Sequence, residues 1–322
     1  MKKYFLIVLF LIYLPLEAAT HLDTLYKSWN DNNLSVNERI DNFTEYLGTG
    51  FVNTNPDSAR ILVKDLKDFA EKKRSQYGRA KAYQLTGIID TKVGEYEKSL
   101  KSYEQSLEIL KLLNNKKGIA ETYSYIATSY FYKGDYKEAL NYFNKAVAIQ
   151  MKSDSSSDLA GTYVNIGSVY IVQSHYKQGL QYYQKALDIY KKLNNKSDVA
   201  FLLNNFGVIY KEKGDYLRAI DYFRKSLAIK EELNNYSSLA ATIHNIGKIC
   251  FELKEYANAI KYFERSLDLE KKVGNKKGIA TDYFSLGAIY QQNKDFQKAF
   301  HYYLNSFNLQ KEIGDKEGIA IS

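Results

Sequence analysis

The sequence predicts an all-α fold, a solenoid of stacked helical hairpins, on three observations. The first is a forty-residue beat: Tyr96, Tyr136, Tyr176, Tyr216, Tyr256 and Phe296 each follow the last by one period. Gly87, Ala127, Gly167, Gly207, Gly247 and Gly287 keep the same beat, as does an alanine column from Ala80 to Ala320. Periods of this size mark supersecondary units that bury their apolar faces only by stacking. The second is that each period holds two apolar stripes at spacings of three and four, such as Leu203, Phe206, Gly207 and Tyr210, then Tyr216, Ala219, Ile220, Phe223 and Leu227. The third is composition: 2 prolines against 30 tyrosines in 322 residues, with 45% hydrophobic and 25% charged residues, fits a folded helical protein.

In chain order, Lys2 and Lys3 precede an apolar run from Phe5 to Leu16 and then Glu-Ala-Ala-Thr. This is the pattern of a signal peptide, residues 1–18, cut after Ala18. A run of twelve is short for a membrane span, which needs about 20 residues. No cysteine lies near the cut, so no lipid anchor is expected, and export to the periplasmic or extracytoplasmic face follows. The sole cysteine, Cys250, allows no internal disulfide, and packing alone must hold the fold. Residues 19–79 read as N-terminal capping helices and a degenerate repeat. Within them, 21–39, with Trp29, form a short covering helix; 40–79 keep Phe43, Tyr46 and Leu47 in the first-helix columns, Pro56 at a helix start and Ala59 in the second. Residues 80–319 are six units, and 320–322 begin a further one.

Inside each unit, Lys-Gly-Asp joins the helices, with Gly214 for the turn and Asp215 as a cap. Leu-Asn-Asn (233–235) closes the unit, asparagine being able to take the left-handed conformation. The net charge is +8, but Lys116–Lys117, Lys191–Lys192, Lys271–Lys272 and Lys276–Lys277 share one phase of the repeat. There they are expected to complement helix C-terminal ends, which argues against nucleic acid as a partner.

These residues resemble the tetratricopeptide repeat family. Tyr163, Ile166, Gly167 and Tyr170 match its first-helix set, and Gly179, Tyr183 and Ala186 its second. The resemblance implies a right-handed α-solenoid with a concave groove. Where the usual unit closes on proline, this chain has Lys111, Met151, Lys191, Glu231, Lys271 and Lys311, so its second helices are expected to run on by about one turn. Long units of this kind resemble those of kinesin light chains and of bacterial sensor proteins.

Little here points to catalysis. His21, His175, His244 and His301 have no metal-ligand spacing, and no cofactor is expected. The glycines of Leu-Gly-Thr-Gly-Phe-Val-Asn (47–53) lack a preceding strand and a third glycine, and read as a turn. Glu97, Glu138 and Asp221 read as solvated faces. Tyr103, Phe143, Tyr183, Phe223, Phe263 and Tyr303 are expected between the two helices of each unit. The neighbouring column Tyr142, Tyr182, Tyr222, Tyr262 and Tyr302 is expected between units.

Asn165, Asn205 and Asn245 stand one residue before a core position in successive first helices. By resemblance to long-repeat relatives this phase faces the groove, where an amide pairs with the backbone of an extended peptide. Tyr125, Lys211 and Lys248 are the expected groove neighbours. The alternative is a polar residue that meets only water. The functional expectation is therefore a non-catalytic scaffold that holds a protein or peptide. The alternative is the sensor region of a longer signalling protein, a histidine kinase, cyclase or transcription regulator. The ending Glu-Ile-Gly-Asp-Lys-Glu-Gly-Ile-Ala repeats the start of a unit, and Phe300, Tyr303 and Phe307 need cover. More repeat, and membrane attachment beyond it, are expected after Ser322.

Overall fold

A computed structural model describes residues 16–50, 52, 55–153, 156–315 and 318–319. Residues 1–15 of the expected leader (1–18) and the final residues 320–322 lie outside the described residues. Among the described residues there are fifteen helices and no strand, in two compact units, 1–175 and 176–322. The first unit holds α1 (Leu16–Trp29), α2 (Val36–Gly50), α3 (Pro56–Lys72), α4 (Gln76–Lys92), α5 (Tyr96–Leu112), α6 (Lys116–Lys133), α7 (Tyr136–Gln150) and α8 (Ser156–Val172). The second holds α9 (Tyr176–Lys192), α10 (Lys196–Glu212), α11 (Tyr216–Glu232), α12 (Tyr236–Glu252), α13 (Tyr256–Val273), α14 (Lys276–Gln292) and α15 (Phe296–Glu312). Within each unit, helices adjacent in sequence pack as antiparallel pairs and each pair stacks on the next, an α-solenoid.

Two short turns build this pattern. Between the helices of a pair, Gly134 and Gly214 take φ of 87° and 73°, where a side chain would be strained. The next residue caps the second helix: Asp135 accepts from Glu138 N at 3.2 Å and Asp215 from Arg218 N at 3.1 Å. Between pairs, the two asparagines divide the work. Asn114, Asn194 and Asn234 are left-handed at φ of 51–53°, and Asn115, Asn195 and Asn235 accept from the amides of Gly118, Asp198 and Ser238. The second helices run through the proline column to Leu112, Lys192, Glu232 and Glu312, with α7 ending at Gln150, one residue short of it.

Aromatic rings seated on glycine hold several pairs together, with Ala127 in the glycine position over Phe143. A Cβ added at Gly207 would stand 2.6 Å from Phe223, and one at Gly247 2.8 Å from Phe263. Phe143, Phe223 and Phe263 are buried; Tyr303 is half-buried and donates to Gln291 Oε1 at 2.8 Å. A serine of the second helix also bonds the first: Ser106, Ser226, Ser266 and Ser306 donate to the carbonyls of Ala80, Ala200, Ala240 and Ala280 at 2.7–3.2 Å.

At the N-terminal end, Trp29 stacks on Phe43 at 4.1 Å over a cluster that includes Leu22, Ile40, Leu47, Leu66 and Leu85. The guanidinium of Arg39 lies 4.7 Å from the Phe69 ring centre and donates to Trp29 O. The second helix in the chain starts at Val36, earlier than the expected boundary at 40, because Ser35 and Glu38 form a reciprocal cap.

Three expectations are corrected. The glycines at 48 and 50 lie in the last turn of α2, so the turn begins after them, closed by Val52 N donating to Leu47 O. The lysine pairs divide: Lys191–Lys192 and Lys271–Lys272 end helices, whereas Lys116–Lys117 and Lys276–Lys277 start them. The latter phase still meets negative charge, because antiparallel pairing puts the start of one helix beside the end of its partner. Thus Lys276 pairs with Glu312 at 2.6 Å and Lys196 with Glu232. Third, Tyr142, Tyr222 and Tyr302 stack on Tyr130, Tyr210 and Tyr290 of their own pair, at 5.6, 5.4 and 5.4 Å. Residues equidistant from a hairpin turn face each other, and that keeps these rings within the pair.

Candidate functional site

Asn165, Asn205 and Asn245 lie on α8, α10 and α12, each just before a buried core residue, Ile166, Phe206 and Ile246. Asn165 is exposed and the other two are half-buried. Among the described residues their carboxamides make no hydrogen bond within the chain, so both the donor and the acceptor of each amide remain available.

The residue one position earlier behaves differently. Asn204 Oδ1 accepts from the Thr242 hydroxyl at 2.9 Å, Gln84 Nε2 donates to Thr122 Oγ1 at 2.7 Å, and His244 Nδ1 lies 2.6 Å from Asp282 Oδ1. Each bond joins a first helix to the first helix of the next pair. The two asparagines of Leu203–Asn204–Asn205–Phe206 therefore have separate roles, the first fastening neighbouring pairs and the second left free.

Charged side chains complete these joints. Lys230, 6% exposed, donates to Ser238 O at 2.9 Å and to Thr242 Oγ1 at 2.6 Å, and burial pulls its ammonium down to about 8. One period later Glu270 occupies the same column, and burial foremost pushes its carboxyl up. Glu270 Oε2 and Asp282 Oδ2 have no hydrogen-bond partner. This column does not stand out in the sequence because its polar members, Gln150, Lys230, Glu270 and Gln310, are mixed with Leu110 and Tyr190. The signal was a polar residue recurring at an apolar phase.

In the first unit Tyr125 and Asn165 line one cleft of about 250 Å³, with Glu121, Ser124, Gln150 and Asp158. The Tyr125 ring stacks on Tyr103 at 5.9 Å. Burial first, then the charges of Glu121 and Asp158, push its hydroxyl up to about 12. Glu121 is paired with Lys81 at 2.9 Å. In the second unit Lys211 pairs with Glu212 at 2.7 Å in a separate cleft with Gly214, Tyr216 and Glu252. Lys248, exposed, lies near enough to help hold the Glu212 carboxyl below its usual range, after the bond from Lys211. Lys211 stands six residues beyond Asn205, about 9 Å along the helix, and is engaged at the turn.

Among the described residues no group of three His, Cys, Asp or Glu side chains is arranged to hold a metal, and no helix is long and apolar enough to cross a membrane.

No curated protein sequence matches the chain. Solved structures do. BtubC (BKLC) from P. vanneervenii superposes with a TM-score of 0.61 at 20% identity, covering 68% of this chain and 92% of that one. A Rap protein complexed with competence and sporulation factor gives 0.56 at 16%, covering 95% of each. A signal transduction ATPase with a tetratricopeptide repeat sensor, from Pyrococcus horikoshii, gives 0.58 at 17%, covering 93% of this chain and 50% of that one. The tetratricopeptide repeat profile matches residues 78–152, 158–232 and 238–313, three double-hairpin blocks that span more than half the sequence. With the pairing, the turns and the seated aromatics described above, this places the chain in the tetratricopeptide repeat family.

Proposed function

We propose that this chain is an exported, non-catalytic scaffold that binds an extended protein segment, with Asn165, Asn205 and Asn245 pairing to its backbone. The observation that carries the reading is the free carboxamide column. In the second unit Asn205 and Asn245 keep their full hydrogen-bonding capacity beside Asn204 and His244, which spend theirs on the fold, and in the first unit Asn165 likewise makes no bond within the chain. A similar structure is complexed with competence and sporulation factor, which supports the reading. Export rests on Lys2, Lys3 and the apolar run from Phe5 to Leu16.

The test starts from random peptides displayed on phage and selected on the full chain. Changing Asn165, Asn205 and Asn245 together to alanine should leave helicity intact. It should weaken the selected peptides by about 1 kcal/mol per bond lost, roughly fivefold each. Unchanged affinity in the triple variant overturns the assignment. Export is tested separately, by fusing residues 1–30 to a reporter active only outside the cytoplasm. A second reading, the sensor part of a larger signalling protein, draws on the repeat sensor named in the archaeal ATPase. It uses the same surface.

A further inference from the structure

The joint between successive first helices is complete at Gln84–Thr122, Asn204–Thr242 and His244–Asp282. At the joint between α6 and α8 the bridging position holds Ser124, whose side chain is too short to span the gap. Thr162, its counterpart thirty-eight residues on, keeps only the bond to the carbonyl four residues back, Asp158 at 3.0 Å, which Thr122 and Thr242 make in addition to their bridges. The space left by the missing bridge is the 250 Å³ cleft beneath Tyr125. Two polar atoms on its wall, Ser124 Oγ and Gln150 Oε1, are buried without a hydrogen-bond partner, and Gln150 is only 5% exposed. Leaving such an atom unpaired is costly, so an incoming group that satisfied it would gain affinity.

The chemistry of that group follows from the wall. Gln150 Oε1, the Asp158 carboxylate and the Asn165 carboxamide oxygen all accept hydrogen bonds. Glu121, although paired with Lys81, keeps the charge of the lining negative. The first turn of α8 borders the cleft and by itself would favour an anion, but Asp158 already occupies that field. The Tyr125 ring offers a face on which a flat cation can lie. The volume is below the roughly 300–1,000 Å³ of sites for drug-sized ligands and suits one long side chain. We infer that this cleft is the subsite for a basic side chain of the bound peptide, arginine above lysine, because a guanidinium fork can meet several separate acceptors at once. The inference rests on the peptide-binding reading and adds to it a charge requirement at one position.

The test uses the full chain and peptides selected on it from a random display library. Arginine or lysine should be enriched at one position, and replacing it with citrulline, neutral and nearly isosteric, should weaken binding about tenfold or more. Asp158→Asn, at an exposed first-turn position, should abolish the difference between the arginine and citrulline peptides. Gln150→Leu should reduce that difference by removing the buried acceptor; if that variant does not fold, Asp158→Asn still decides. Selected peptides with no basic preference, or an arginine advantage that survives Asp158→Asn, overturn the subsite and leave peptide binding standing. Failure to select any peptide overturns both.

Discussion

Lys230 is held as a buried cation by one carbonyl and one hydroxyl, and its ammonium titrates near 8 rather than at its ordinary value of 10.5. Between those values the folded protein binds fewer protons than the unfolded chain, so this group makes stability rise with pH across that window. Lys230→Met removes the titration. Its unfolding free energy relative to the parent should therefore be most favourable below pH 8 and fall by about 2–3 kcal/mol by pH 10.5. Urea unfolding at several pH values measures this, and a difference that does not change with pH would contradict it. A second residue-scale prediction concerns Lys254, which takes φ of 60° in the column where Gly134 and Gly214 stand. Lys254→Gly should stabilise by about 0.5–1 kcal/mol, because relief of the left-handed strain exceeds the extra entropy of an unfolded glycine. A lower thermal midpoint would sink it.

The element that makes the fold is the helix pair, and its closest approach is where glycine meets an aromatic ring. Gly207→Val should push into Phe223 and cost about 2–3 kcal/mol by denaturant unfolding. Alanine should cost less, since Ala127 fills that column over Phe143 in another pair. A valine variant as stable as the parent would show that the pair has slack at this point. This level was the most legible in the sequence, because turns and ring seats are local and recur unchanged: Asp215, Gly214 and Asn234 act as their residue types predict. The joints between pairs were less legible. Their partners lie thirty-eight residues apart and change type from glutamine to asparagine to histidine, so no column looks constant. Within the candidate cleft, Asn165 and Tyr125 are the residues that phase and resemblance single out, whereas Gln150 and Ser124 stand out for what they lack, which periodicity does not report.

Across the whole molecule, burial is uneven. In the second unit α13 buries Phe263, Leu267 and Leu269, whereas α15 buries Ala299, Ser306 and Gln310 and leaves Phe296 and Phe300 two-thirds exposed. Opening α15 therefore forfeits much less apolar contact than opening α13. Amide hydrogen exchange followed by mass spectrometry should show α15 exchanging well ahead of α13. Equal protection in the two helices would mean that the second unit opens only as a whole.

The serine that bonds an alanine carbonyl twenty-six residues earlier has a consequence for heredity. Donor and acceptor both fall inside one period, so a block of forty codons carries a complete fastening with it. Misaligned crossing-over between two copies of such a block would add or delete a hairpin without separating any serine from its alanine. A slip that is not a multiple of forty residues would part any pair that it falls between. The gene can thus change its number of repeats in single recombination events, while the interior of each repeat changes only by point substitution.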